Sequence, residues 1–403
     1  MFGDWKSGVI GTLAGTGEPG YSGHGGPGWK AALNEPKNVC FDAVGNLLIA
    51  DSENHVIRRI LQATGVIETV AGRSPLSQSQ PSVPTPFPTQ HTEEEEEVDP
   101  LADVDESPEK AYSQTPDLSG TVRYVIGQGL QRDRFAGDEG PATKAILNFP
   151  SAVAVNAEGD IFIADTFNHR IRKVNPTSGT IHTIAGTGNT KWSGDGGPAL
   201  EATFNEPVAL AVDGTRLYIA DQSNNRIRLL DLETGVLSTI AGTGETGYNG
   251  DGMPALEASL AGPSGLTLDQ EGHLYVADTF NGRIRKIDRQ TGIMTSVVGD
   301  GSEFRYERGV NDASTALSRP YGIAVTATGG ILITDSDNHL LRYWDVEKKS
   351  MSVKAGNGQA GFGGDGAAAE TSNLNYPFGV AVDTWGNIAI ADTFNHRIRF
   401  IGH

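Results

Sequence analysis

The sequence predicts an all-β fold, a six-bladed β-propeller, and three observations lead to that prediction. A ten-residue phrase occurs six times along the chain, and residues 163–172, IADTFNHRIR, give its fullest form. Each copy stands among short apolar segments joined by Gly, Asn and Asp, which indicates antiparallel strands and tight turns. The 52 glycines and 20 prolines favour short strands over helices. One such four-stranded unit cannot bury both of its faces, so the units must stack around an axis.

The spacing of the repeat gives the number of blades. The aspartate of each copy falls at Asp51, Asp165, Asp221, Asp278, Asp335 and Asp392. From Asp165 onward the copies are 56 or 57 residues apart, and the first interval is twice that length. In one full unit, residues 207–213, 217–221, 226–230 and 235–242 read as four successive strands. We therefore expect six blades of four strands each.

The two ends of the chain predict how the ring closes. The last copy stops after its third strand, residues 397–401, whereas the chain begins with an unpaired fourth strand at residues 9–15. Pairing these two segments removes the open edge that a linear array would leave. The sequence therefore predicts a ring closed by the N-terminal strand in the last blade.

An acidic segment interrupts the array. Residues 73–119 are rich in Pro, Ser and Gln and contain 11 acidic and 2 basic residues. Such a composition buries too little apolar surface to offset the entropy of ordering. We interpret the segment as a disordered loop on the rim, between the closing strand and first blade (1–72) and the other five blades (120–403). A decayed seventh repeat and a partner-binding tail remain alternatives.

Composition narrows the function classes. The net charge of −19 argues against nucleic-acid binding, and no charge-free stretch is long enough to span a membrane. The N-terminus lacks a basic and apolar signal, so we expect a cytoplasmic protein, or a secreted one if a signal has been trimmed. The single cysteine, Cys40, excludes an internal disulfide and a thiolate metal cluster. It lacks an evident base partner, so we interpret it as a small wall residue.

Polar groups that recur in every blade are interpreted as structural. The aspartates after the second strand suit bonds to turn amides, and the arginines that follow suit bridges to carboxylates. Histidines at one turn position in four blades, His55, His169, His339 and His396, are expected to face solvent. The connectors between blades carry an aromatic residue, expected to pack between blades, at Tyr21, Phe135, Trp192, Tyr248, Tyr306 and Phe362. They also carry Asp138, Asp195, Asp251 or Asp365, expected to fold back on loop amides rather than to form a cation-binding ring.

The repeated phrases resemble a known family. Residues 164–172 and 391–399, ADTFNHRIR, and residues 193–199, SGDGGPA, look like NHL repeats, and the likeness covers the chain except for 73–119. The resemblance implies a propeller but leaves function open. NHL propellers include RNA- and protein-binding modules, extracellular sensors and a peptide-amidating lyase with a metal in its channel, and related six-bladed propellers include lactonases.

Differences between the blades indicate where a site lies. The inner strands carry small residues at alternate positions, such as Ala152, Ala209 and Gly265, which we expect to line the axis. Residues around the proline that opens each inner strand differ from blade to blade and should lie at the channel mouth. The candidate ligand-binding residues there are Glu35, Lys37, Glu206, Arg319, Tyr321, Tyr376 and Phe378. Aromatic walls with a few polar groups are typical of a small-ligand pocket.

Two functions remain open from the sequence. The first is a non-catalytic scaffold that binds a small molecule, a peptide or a protein partner through the loops of the channel mouth, because no catalytic cluster is evident. The second is a metal-dependent hydrolase, lactonase or lyase with its ion in the channel. Calcium held by Glu35, Asn38, Asn205 and Glu206 would supply the oxygen ligands for that chemistry.

Overall fold

The computed structural model describes residues 5–73, 135–249, 251–302 and 312–403. These residues form six antiparallel sheets and contain no α-helix. Predictions about residues 74–119, and about Tyr306, lie outside the described residues. Among the described residues, no helix is long and apolar enough to cross a membrane.

Each sheet is one blade, and its four main strands are counted here from the axis outward. The innermost strands are Pro36–Phe41, Pro150–Val155, Pro207–Asp213, Pro263–Leu268, Pro320–Val325 and Pro377–Val382. The second strands are Leu47–Asp51, Ile161–Asp165, Arg216–Asp221, Leu274–Asp278, Ile331–Asp335 and Ile388–Asp392. The third strands are Val56–Ile60, Arg170–Val174, Arg226–Asp231, Arg283–Ile287, Leu340–Asp345 and Arg397–Ile401. The outer strands are Val66–Ala71, Thr180–Ala185, Val236–Ala241, Ile293–Val298, Ser350–Ala355 and Ile10–Ala14.

Short elements complete the blades. In blades 1 to 4 a two-residue strand of the connector pairs with the outer strand: Gly26–Pro27, Gly140–Pro141, Gly197–Pro198 and Met253–Pro254. A 3-10 turn follows each second strand: Ser52–Asn54, Thr166–Asn168, Gln222–Asn224, Thr279–Asn281, Ser336–Asn338 and Thr393–Asn395. Further 3-10 turns lie in the connectors: Gly28–Lys30, Ala142–Lys144, Ala199–Glu201, Ala255–Glu257 and Ala369–Thr371.

The predicted closure is confirmed. The strand Ile10–Ala14 pairs antiparallel with Arg397–Ile401, with Ile10 opposite Ile401. The inner strand of the last blade also contacts that of the first, so the inner strands follow one another around a complete ring. The first and last segments of the repeat array thus form one sheet and leave no blade with an exposed third strand.

The small residues of the inner strands border the channel cavities and also face the neighbouring blade, a contact that the sequence did not predict. A Cβ added to Gly265 would lie 2.2 Å from the carbonyl oxygen of Tyr321 in the next blade. Asn38 stands at the same position in blade 1, and its Oδ1 accepts the backbone N–H of Val153 in blade 2 at 3.2 Å. Inner strands approach most closely near the axis, and only small side chains fit between them. The residues at the alternate positions border the channel as well.

The repeated aspartates and arginines stabilise each blade internally, as the sequence indicated. Asp165 is fully buried, and its Oδ1 accepts the N–H of Asn148 at 2.7 Å while Oδ2 accepts from Asn168 and Arg172. Burial raises the pKa of Asp165 to about 6, and Arg172 opposes that rise. The other end of the Arg172 guanidinium reaches Asp138 of the connector at 2.5 Å. One buried guanidinium therefore joins two carboxylates, and these two ion pairs compensate for the desolvation of the guanidinium.

The connector residues serve the same arginines, which corrects two predictions. Asp138 and its equivalents do not fold back on loop amides but bind the buried arginine, as in the pairs Arg228–Asp195, Arg285–Asp251 and Arg399–Asp365. The connector aromatics stack on guanidinium groups: Phe135 lies 3.9 Å from Arg170, and Trp192 lies 4.0 Å from Arg226. Each connector carboxylate is thus paired with an arginine of its own blade, and these carboxylates do not converge on one cation.

Candidate functional site

Three rings of side chains surround the channel at the face where the inner strands begin, and we call them together the mouth. The rim residues precede the strand-opening prolines: Glu35, Phe149, Glu206, Gly262, Arg319 and Tyr376. The neck residues follow those prolines: Lys37, Ser151, Val208, Ser264, Tyr321 and Phe378. The loop residues occupy the centre of the 3-10 turns after the second strands: Glu53, Phe167, Ser223, Phe280, Asp337 and Phe394. Blade 1 contributes only charged residues to the mouth, and the adjacent blade 6 contributes only aromatic ones.

A left-handed backbone conformation presents the rim residues. Every rim residue has positive φ, for example 46° at Glu35 and 47° at Tyr376. This conformation is unfavourable for side chains other than Gly and Asn, so the surrounding structure must hold it. The strain is located at a position of the repeat where the side chains differ between blades.

The repeated histidines hold the rim, which corrects the prediction that they face solvent. The Nδ1 atom of His396 accepts the backbone N–H of Glu35 at 3.1 Å, and His55 does the same for Phe149 at 3.0 Å. In each case the histidine belongs to the preceding blade. Burial lowers the pKa of His396, so its imidazole stays neutral and able to accept this bond.

Lys37 lies at the centre of the charged side of the mouth. Its side chain is buried, and only 7% of the surface of the residue is exposed to solvent. Burial lowers the pKa of Lys37, while Glu35, Glu53 and Glu206 act to raise it. Burial also raises the pKa of Glu35, and burial together with the Glu35 carboxylate raises that of Glu53 to about 7. Groups with such perturbed pKa values in a concave site are typical of functional sites.

Aromatic rings of blades 5 and 6 form the side of the mouth that adjoins the charged side. Tyr321 and Phe378 are stacked with ring centroids 4.4 Å apart, and Phe394 packs edge-on against Phe378 at 6.1 Å. The Lys37 ammonium lies 6.0 Å from the Phe378 ring and 5.9 Å from the Phe149 ring. The ammonium is therefore placed between two aromatic faces, where the ring quadrupoles favour a positive charge.

The structure brings together most of the mouth residues that the sequence predicted. Arg319 differs from the others because it forms an ion pair within the protein. Lys37 is close enough to Glu35 and Glu206 for their charges to act on it, and Tyr321 is close enough to Glu206. The Nε atom of Arg319 lies 3.4 Å from Asp337 in its own blade. Its guanidinium is therefore engaged within the protein. Tyr376 packs edge-on against His339 at 4.7 Å and contacts Phe394.

Sequence reasoning missed the loop ring. Glu53 and Phe394 contribute directly to the mouth, although their turns are far from the prolines along the sequence. The sequence does contain an indication of this ring, because this turn position varies between Glu, Phe, Ser and Asp while its neighbours repeat. The missing information was that this turn folds over the rim of the same blade.

Comparison with known sequences agrees with this repeat architecture. The sequence model of the NHL repeat matches residues 147–174, which include the inner, second and third strands of blade 2. The model of the Teneurin NHL domain matches residues 240–308. The chain is an NHL-repeat protein.

Several curated proteins are similar to this NHL-repeat chain. Protein SUPPRESSOR OF QUENCHING 1, chloroplastic, of Arabidopsis thaliana is 31% identical over 274 residues, which are 65% of this chain and 26% of that protein. NHL repeat-containing protein 2 of Gallus gallus is 28% identical over 313 residues, covering 70% of this chain and 42% of that protein. Both relatives are more than twice as long as the part that this chain matches.

Solved structures show the same fold at low sequence identity. A Bacteroides thetaiotaomicron structural genomics protein matches 97% of this chain and 75% of its own, with a TM-score of 0.61 and 16% identity. An auxiliary nutrient binding protein from Bacteroides ovatus matches 98% of this chain and 76% of its own, with a TM-score of 0.60 and 13% identity. At such identities the likeness concerns the fold alone.

Three of the four residues of the calcium alternative, Glu35, Asn38 and Glu206, have other interactions in this NHL propeller. Asn38 points toward blade 2, and Glu206 accepts the hydroxyl of Ser223 at 2.6 Å. The Lys37 charge competes with a cation for Glu35 and Glu206. Among the described residues, no group of three or more His, Cys, Asp or Glu side chains is arranged to hold a metal ion. The residues present therefore fit a calcium ion poorly.

Below the neck the channel is aliphatic. The next ring consists of Val39, Val153, Leu210, Leu266, Ile323 and Val380, each 8% exposed or less. A cavity of about 310 Å³ opens on the far side of this ring, at the opposite face of the propeller, and it is lined mainly by apolar side chains. The charged side chains of the channel are therefore concentrated at the mouth.

Proposed function

We propose that this NHL-repeat propeller binds a small ligand, or the end of a peptide, at the mouth of its channel. The observation that carries the proposal is the asymmetry of the three rings. Residues that stabilise the blades recur from copy to copy, whereas the mouth residues are all charged in blade 1 and all aromatic in blade 6. Stability alone does not require this difference, because equivalent blades hold together with other residues at the same positions.

The chemistry of the mouth favours binding over catalysis. The imidazoles beside the mouth accept backbone hydrogen bonds and are committed to the structure. Burial raises the pKa of Cys40 to about 11, so its thiol is a poor nucleophile at neutral pH. Aromatic surface next to a few charged groups is what a ligand pocket offers. A metal-assisted hydrolase or lyase remains the second proposal and depends on an ion at Glu35 and Glu206.

A thermal-shift screen of a metabolite library tests the proposal. Phe378→Leu keeps an apolar side chain but removes the ring that faces Lys37, so we expect it to weaken the binding of a metabolite about fivefold, since aromatic contacts of this kind contribute about 1 kcal/mol. Trp385→Ala is the control, because Trp385 is 57% exposed in the turn after the inner strand, at the opposite face. Ligands that respond to Trp385→Ala and not to Phe378→Leu would overturn the proposal.

A further inference from the structure

The neck contains two hydrogen-bond donors that find no acceptor among the described residues. Lys37 is 7% exposed, and in the part of the chain that the structure describes its ammonium makes no hydrogen bond or ion pair. The hydroxyl of Tyr321, which lines the same cavity, has no hydrogen-bond partner there either. Tyr321 is only partly buried, so water in the mouth can reach its hydroxyl, whereas the enclosed Lys37 ammonium gains more from a charged acceptor than from the little water that reaches it. Such groups in a native structure call for a ligand or a functional explanation.

The groups around Lys37 do not satisfy it. Glu35, Glu53 and Glu206 act on the ammonium through space, but each lies in the rim or the loop ring, and none forms an ion pair with it. The neck positions on the two sides of Lys37 are Ser151 and Phe378. An ammonium offers donors only, so the missing group is an acceptor. That acceptor must enter from the mouth, because the ring below the neck is aliphatic.

The cavity at the neck limits the size of this acceptor. It measures about 20 Å³ and is lined by residues including Lys37, Ser151, Ser264, Tyr321 and Phe378. This space accommodates one small group of the size of a water molecule or a carboxylate oxygen, and not an aromatic ring. The rest of a ligand must therefore lie higher in the mouth, between the glutamates of blades 1 and 3 and the aromatic residues of blade 6.

We propose that the neck binds the carboxylate of a ligand, with an oxygen accepting from the Lys37 ammonium and the Tyr321 hydroxyl. The inference rests on the proposed binding function of the mouth. Glu35, Glu53 and Glu206 repel a second anionic group and favour an ammonium, while Tyr376 and Phe394 offer an apolar wall. An α-amino acid with an aromatic side chain is the smallest ligand that matches these three surfaces. Ligands that carry several negative charges are excluded by the same glutamates.

Calorimetric titration with three probes tests the proposal. The probes are L-phenylalanine, L-phenylalaninamide, which lacks the carboxylate, and 3-phenylpropionate, which lacks the ammonium. We expect phenylalanine to bind at least about tenfold more tightly than the amide, because a charge-assisted hydrogen bond in a buried site is worth that factor or more. We expect 3-phenylpropionate to bind more weakly than phenylalanine, because it leaves the glutamates without a partner.

Two variants test whether the preference for the acid over the amide arises at the neck. Lys37→Met keeps the length of the side chain and should abolish the preference for the acid over the amide. Tyr321→Phe removes only the hydroxyl and should reduce that preference, which provides a test if Lys37→Met does not fold. The control is Lys144→Met, because Lys144 is an exposed lysine of a connector turn. It should bind all three probes as the unaltered protein does.

Three results would overturn the carboxylate site. They are equal affinity for the acid and the amide, an unchanged preference in folded Lys37→Met, and no binding of any probe with a Kd below about 10 mM. A screening hit without a carboxylate that is weakened by Phe378→Leu would overturn this site while supporting the wider proposal for the mouth. Failure of every screening hit to respond to Phe378→Leu would overturn both.

Discussion

The Nδ1 atom of His339 in blade 5 accepts the backbone N–H of Tyr376 in blade 6 at 3.2 Å. Tyr376 has φ of 47°, so the bond crosses the interface between two blades to hold a strained residue of the mouth. In blade 3 the same position is Asn225, whose Oδ1 accepts from Gly262 at 2.9 Å. In blade 4 it is Gly282, which has no side chain, so Arg319 lacks this restraint. Packing of the blades and shape of the mouth are thus coupled through one turn residue.

The first prediction concerns this interblade bond. His339→Ala should lower the free energy of unfolding by about 1–2 kcal/mol, because it leaves the Tyr376 amide without an acceptor and an alanine at positive φ. His339→Asn should restore most of the loss, because asparagine tolerates this backbone conformation and already supplies the acceptor in blade 3. Guanidinium-induced unfolding of the three proteins checks the order, and equal losses in the two variants would contradict it.

The same bond makes stability depend on pH in a defined direction. Burial lowers the pKa of His339 below its ordinary value of 6.5. The unfolded chain therefore binds the proton more readily than the folded protein does. The contribution of neutral His339 to the free energy of unfolding is complete above pH 6.5 and is lost as the pH falls through the folded-state pKa. Between pH 7.5 and 5, His339→Asn should lose less stability than the unaltered protein. A larger loss in the variant would overturn this assignment.

A second prediction concerns the buried arginines. Arg228 is fully buried between Asp195, at 2.7 Å, and Asp221, at 3.4 Å. Arg228→Ala should reduce the free energy of unfolding by about 3–5 kcal/mol, since it leaves the buried Asp221 without its cation. Arg289→Ala is the control, because its pair with Asp213 is at 3.3 Å and both side chains are more than 40% exposed. That variant should lose about 1 kcal/mol or less, and similar losses in both would contradict the prediction.

A third prediction tests the closure of the ring. Ile10 in the N-terminal strand and Ile67 in blade 1 occupy equivalent positions in outer strands, and both are fully buried. If the closing strand is as integral as the others, Ile10→Ala and Ile67→Ala should each destabilise the protein by about 2–5 kcal/mol. Parallel denaturation curves check this expectation. A cost near zero for Ile10→Ala alone would mean that the closing strand contributes little to the ring.

A fourth prediction uses the carboxyl of Glu53. Its pKa is raised to about 7, so its contribution to stability is complete below 4.5 and is lost as the pH rises through about 7. Glu53→Gln should therefore raise Tm at pH 8 and have little effect on Tm at pH 4. The control Glu158→Gln changes an exposed carboxylate in a turn between strands and should be neutral at both values. A Tm that falls at pH 8 in Glu53→Gln would show that this carboxylate has a stabilising partner.

The fifth prediction separates the two proposed functions. Because Lys37 competes with a cation for Glu35 and Glu206, removal of divalent ions with EDTA should leave Tm unchanged. Elemental analysis of the purified protein accompanies the melting experiment. Stoichiometric calcium that is lost in Glu206→Gln, together with a lower Tm after chelation, would favour the metal-assisted hydrolase or lyase instead.

Side-chain direction was less accessible to sequence reasoning than strand order. Small residues alternate along the inner strands, but both faces of a propeller strand are buried, so alternation alone does not say which face meets the axis. Gly265 faces the backbone of Tyr321, and the hydroxyl of its neighbour Ser264 also donates to the carbonyl oxygen of Tyr321 at 3.2 Å. The histidines presented the same difficulty, because the partner of His169 is an amide 37 residues away in the next blade.

The sequence by itself determined the number of blades, the order of the strands and the closure of the ring. These features depend on local hydrogen-bond ladders and on a period that recurs from Asp165 to Asp392. Only the tertiary structure decided that Glu53 and Phe394 join the mouth and that the histidines join the blades. It also showed that the Lys37 ammonium has no hydrogen-bond acceptor within the described ranges of the chain. These relationships depend on how neighbouring blades pack around the axis, which brings together groups that no local pattern connects.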